Sequence, residues 1–138
     1  MFKLKKILGA KSSVPEIRIW ENDASSHVKA GCLYFAHDDT VSNELVDDFP
    51  DKLKIIAVST VPTVDASIPI AGFVITKDMV FEAEIKSGSS VILVGTKVNI
   101  TYDDNGDLAA VTAEEGAHDA IAIDVSNRKN NKVDIVFI

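Results

Sequence analysis

Along this chain, hydrophobic and polar residues alternate with a period of two far more often than with the helical period of 3.6. Residues 16–20, 28–36, 53–58 and 70–76 read as strands, the first by strict alternation through Ile17 and Ile19. Residues 79–85 alternate cleanly, with Val80 and Glu82 on one face and Phe81, Ala83 and Ile85 on the other. The last fifty residues continue the pattern. A short strand is predicted over 91–94, broken at Gly95, and further strands over 97–102, 108–113, 120–125 and 132–138. The turn Asp103-Asp104-Asn105-Gly106-Asp107 carries the Asn-Gly pair favoured in tight hairpins, whose residues tolerate positive φ. Residues 37–50 are polar and acidic, with room for one helical turn over 42–46 capped by Ser42. No internal repeat is visible in the residue identities.

Many short strands between regular turn signals predict a mainly β fold, a small β-barrel or sandwich with at most one short helix. Residues 1–15 are set apart as an extended N-terminal arm closed by Pro15, and residues 16–138 as a single β-rich domain, the usual outcome for a chain of 138 residues.

Charge sharpens the picture. The net charge is −7, yet Lys3, Lys5, Lys6 and Lys11 fall in the first eleven residues with no acid before Glu16. An acidic body repels phosphate backbones, so no nucleic-acid partner is expected. The apolar stretch Ile7-Leu8 is too short for the core of a signal peptide, and no run approaches the roughly 20 residues that span a bilayer, so no membrane partner is expected. The lone Cys32 lies in an apolar run and reads as a small buried hydrophobe in a reducing compartment.

Candidate chemistry is sparse. His27, His37 and His118 lack metal-ligand spacing, and the paired acids at 38–39, 47–48, 103–104 and 114–115 lie in polar loops that would not raise a carboxyl pKa for acid catalysis. Asp103, Asn105, Asp107 and Glu114 match positions 1, 3, 5 and 12 of an EF-hand loop, but Leu108 stands where the turn needs glycine, and the flanks read as strands. No enzyme activity, cofactor or tightly bound metal is expected.

The segments running from Gly95 through Asn105-Gly106 to Ala113, from Asp119 to Val125 and from Lys132 to Ile138, together with Val28-Lys29-Ala30-Gly31-Cys32-Leu33-Tyr34-Phe35, resemble the head decoration (cement) proteins of tailed bacteriophages. This chain has Ala120 where many of those have glycine, and its middle segment, 37–78, is long. The resemblance implies a β-rich, non-catalytic protein on the outer capsid surface of the virion, made in the host cytoplasm. It also implies the major capsid protein as partner and a homo-oligomer, a trimer by preference, that stabilises the lattice. The alternatives are another virion component, such as a tail, baseplate or fibre domain, or a small ligand-binding β-barrel. On this reading the contacts with capsid or neighbouring copies come from the arm, Phe2, Lys3, Leu4, Lys5, Lys6, Ile7, Leu8 and Lys11. They also come from the outer face of the last strand, Val136 and Ile138, which leaves two apolar side chains to cover.

Overall fold

The structure, a computed structural model, describes residues 1–9, 15–24, 27–37, 40–42 and 53–138. Lys11 and the helical turn expected at 42–46 fall wholly or mostly outside them; Ser42, the expected cap, ends a strand instead. The fold is mainly β, as the alternation predicts. Its strands are β1 (Lys3–Ile7), β2 (Arg18–Asn22), β3 (Leu33–His37), β4 (Thr40–Ser42), β5 (Leu53–Ala57), β6 (Ile70–Val74), β7 (Met79–Ile85), β8 (Lys97–Tyr102), β9 (Leu108–Thr112), β10 (Ala120–Asp124) and β11 (Lys132–Phe137). A single 3₁₀ turn, Arg128–Asn130, interrupts them among the described residues.

Two compact units take the place of the expected arm and single domain: residues 15–75, and residues 1–14 with 76–138. The length of the chain suits one domain, but strand pairing decides otherwise, because each unit completes its own hydrogen-bonded ring. In the first unit β2-β4-β3-β5-β6 form a closed barrel. In the second, the order β7-β11-β10-β8-β9 returns to its start through a parallel β7–β9 pairing, and β1 is added on the outside of β7.

The two rings have the same topology. In each, the first strand pairs antiparallel with the fifth and parallel with the third, and the fourth lies between the second and the fifth. They also share register. Glu21 and Asn22 face Thr40 and Val41 as Glu84 and Ile85 face Ala110 and Val111. Ala36 faces Val41 as Ile100 faces Val111, and Tyr34 faces Ile55 as Val98 faces Ala120. Ile55 faces Val74 as Ala120 faces Phe137, and Arg18 faces Gly72 as Phe81 faces Ile135. Followed round the ring, these matches return to Glu21 and Glu84.

Connecting hydrogen bonds repeat as well. Cys32 N donates to Lys29 O as Thr96 N donates to Leu93 O, and Ile75 N to Lys54 O as Ile138 N to Asp119 O. The chain is a tandem of one five-stranded design. Residue identity hides it, because a strand position demands only an inward or an outward side chain; Arg18 matches Phe81 and Gly72 matches Ile135.

Each unit has its own apolar interior. Leu33, Phe35, Ile55 and Ile70 are fully buried in the first, and Phe81, Val98, Val111 and Ile135 in the second. Fully burying such a side chain contributes about 1.5–3 kcal/mol. The N-terminal segment differs from the arm expected: Phe2 is buried edge-to-face on Phe137, with ring centroids 5.9 Å apart, and Lys3–Ile7 pairs with β7. Three lysines in five residues suggest a solvated tail. They sit instead on a paired strand, with Lys5 Nζ donating to Asp134 at 2.9 Å.

Candidate docking surface

The loop joining β7 to β8 is the most apolar exposed segment of the second unit. Val91, Leu93 and Val94 are 72%, 57% and 65% exposed, while Ile92 between them is buried. The sequence predicts a strand here; the structure has a loop with its apolar groups turned outward. The period is right for alternation at 91–93, but Gly95 takes φ 87°, and Gly95 N donates to Ala122 O at 2.8 Å. Thr96 then closes a tight turn, its N–H donating to Leu93 O at 3.0 Å and its Oγ1 accepting from Leu93 N at 3.0 Å. Arg128 Nη1 donates to Ile92 O at 2.7 Å, and Ala122 N to Thr96 O at 2.9 Å. These bonds tie the loop to Ala122 on β10, next to exposed Ile123.

The first unit supplies an internal control. Its matching loop has the same turn, with Gly31 at φ 84° donating to Ala57 O at 2.8 Å and Ala57 N donating to Cys32 O at 3.2 Å. There Val28 is buried like Ile92, but the positions matching Val91, Leu93 and Val94 hold His27, Lys29 and Ala30. The turn therefore does not need apolar groups at those positions. Contiguous exposed apolar surface that the fold does not require marks a contact with something else.

The other constellations are engaged in structure. Asp103 Oδ1 accepts from Asn105 N at 2.9 Å and Asp107 N at 3.0 Å, so this carboxylate organises the hairpin turn. Of the Asn-Gly pair only Gly106 has positive φ, 80°. Buried Asp119 accepts from Ile100 N at 3.0 Å, and the His118 ring lies 3.1 Å from Asn99 Oδ1. A polar depression of about 550 Å³ is lined in part by Glu84, Lys86, Asp104 and Lys132. Lys86 Nζ donates to Tyr102 O at 2.7 Å, Lys132 lies 3.5 Å from Glu82, and Glu84 lies 3.6 Å from the terminal ammonium. Among the described residues no three His, Cys, Asp or Glu side chains cluster as metal ligands would.

Of the contact residues expected from sequence, Phe2 is spent on the core of the second unit, Leu4 and Ile7 are half-buried in β1, and Leu8 is exposed. Lys3 and Lys6 are exposed on β1, and Lys5 pairs with Asp134. On β11, Val133, Ile135 and Phe137 are buried as expected of the inner face; Val136 is half-buried and Ile138 exposed on the outer one. Sequence reasoning missed Val91, Leu93 and Val94 because four apolar residues in succession, 91–94, read as core. The signal that finds them is the turn at Gly95 matched against Gly31. No family model, curated protein or solved structure matches this chain.

Proposed function

We propose that this protein is a structural subunit that docks on the outer surface of a tailed-bacteriophage head and stabilises its lattice. The observation that carries a docking role is the fixed apolar loop at Val91, Leu93 and Val94, set against the loop at His27, Lys29 and Ala30, which closes on the same glycine turn without those apolar groups. The choice of a phage head rests on the resemblance of the strand and turn motifs at 28–35 and 95–138 to decoration proteins. The partner is the major capsid protein, and a lattice suits a small patch, since weak contacts repeated over many sites gain through avidity. The net charge of −7 adds long-range selection against anionic surfaces.

The experiment is co-sedimentation with heads assembled from the major capsid protein encoded in the same genome. Saturable pelleting supports the reading. Protein that stays in the supernatant, or a genome without a capsid gene, overturns it.

A further inference from the structure

The match between the two rings exposes a difference at one sheet edge. In the second ring one edge of β7 is covered along its whole length, by β1 opposite Met79–Glu82 and by β9 opposite Glu84 and Ile85. In the first ring the matching edge of β2 is covered by β4 opposite Glu21 and Asn22. Among the described residues no strand pairs with the remainder, which runs through Glu16, Ile17, Arg18 and Ile19. The consequence is visible in burial: Ile17 is 47% and Ile19 71% exposed, whereas Val80, which matches Ile17, is buried beneath β1.

The backbone direction at this edge follows from the ladder. Val58 N donates to Ala71 O and Ile75 N to Lys54 O, so Ala71 and Ile75 turn their polar groups toward β5. Antiparallel alternation then turns Ile70 and Gly72 toward Trp20 and Arg18. Ile17 and Ile19 therefore point their N–H and C=O groups at the open edge. Such an edge is a template for another strand.

Charge selects the strand. A β1-like segment fits poorly, because Lys5 of β1 is held by Asp134, whose position is taken in the first ring by Ala71. The edge is instead complementary to itself. Glu16 and Arg18 share a strand face, with carboxylate and guanidinium 3.5 Å apart. Antiparallel pairing about a two-fold axis through Ile17 places Glu16 opposite Arg18 of the other copy, twice. It also packs Ile17 on Ile17 and sets Ile19 opposite Pro15, whose missing N–H forfeits one bond at each end. An axis through Arg18 would instead face two guanidinium groups.

We infer that a second copy of this chain pairs along β2, giving an isologous dimer whose first-ring sheets continue into one another. The contact is separate from the capsid reading and closes at two copies, where the sequence resemblance favours three.

The test is the mass of the full-length protein in solution, by sedimentation equilibrium at micromolar concentrations, with circular dichroism to verify folding. A dimer is expected. Glu16→Arg alone and Arg18→Glu alone each set like charges opposite one another and should weaken it about tenfold or more. The double variant Glu16→Arg/Arg18→Glu restores the complement and should restore the dimer. Ile17→Lys should give a folded monomer. A wild-type monomer, a wild-type trimer, or an oligomer whose dissociation constant ignores these substitutions overturns the proposal.

Discussion

Gly31 and Gly95 hold the same place in the two rings: their φ angles are 84° and 87°, and each donates its N–H at 2.8 Å to an alanine carbonyl, Ala57 and Ala122. A left-handed backbone costs a residue with a Cβ about 1–2 kcal/mol. At Gly95 an added Cβ meets no atom within 4 Å, so the strain is conformational alone. Gly31→Ala and Gly95→Ala should each lower unfolding free energy by that amount in urea titrations. A neutral result at both would contradict the shared turn.

Gly72 fails for a different reason. A Cβ there would lie 2.5 Å from Ile56 O, a backbone atom of the paired strand that cannot swing aside. Gly72→Ala should therefore cost more than Gly95→Ala, on the order of 2–3 kcal/mol, as overpacking does. The comparison is direct if both variants are melted under the same denaturant. Equal losses would mean that β5 and β6 yield more readily than their register suggests.

Phe2 is part of the core of the second unit, against Phe137, which in turn packs edge-to-face on Phe81 at 5.5 Å. Phe2→Ala should destabilise that unit by about 3 kcal/mol, the low end for a buried Phe because the site lies near a chain end. A loosely attached arm would give no measurable change in melting.

Much of the fold is legible in the sequence, and the exceptions have physical causes. β11 alternates without interruption and β7 does so from Phe81 onward, and their inner faces, Phe81 with Ala83 and Val133 with Ile135 and Phe137, are buried as read. β1 hides because the ladder slips between Leu4 and Lys6, and a bulge places two lysines in succession where alternation would show. Val28 belongs to no long strand; it bridges Val61 alone, and the chain turns at Gly31 before β3 begins. The tandem design is invisible because matched positions such as Arg18 and Phe81 keep a strand address and not a side chain. The docking loop is invisible because exposure at 91–94 depends on the turn at Gly95, which hydropathy does not encode.

Electrostatics should shape stability only at the pH extremes. The hydrogen bond to Asp134, followed by its charge, raises the pKa of Lys5. A raised lysine contributes stability below its unfolded value, near 10.5, and loses it as pH climbs through the folded one. Asp124 is lowered by hydrogen bonds from Ser126, and Asp65 by those from Ser67. Lowered carboxyls contribute above their unfolded value of 3.8 and lose that stability as pH falls through the folded one. All three groups are solvent-exposed, so the effects are small. Through these groups melting temperature should fall at the acid and alkaline extremes, and Lys5→Met should remove part of the alkaline fall alone. A Lys5→Met profile that overlays the wild type above pH 10.5 contradicts the assignment.

The proposed docking role is tested most directly by giving the second ring the loop of the first. The triple variant Val91→His/Leu93→Lys/Val94→Ala carries side chains that the same turn already holds at His27, Lys29 and Ala30. Its melting temperature should stay within a degree or two of the wild type, since surface substitutions cost within about 0.5 kcal/mol. On the proposed function, binding to heads assembled from the capsid protein of the same genome, measured by co-sedimentation, should fall about tenfold or more, because central apolar contacts dominate such surfaces. Undiminished binding by the folded triple variant would contradict the account.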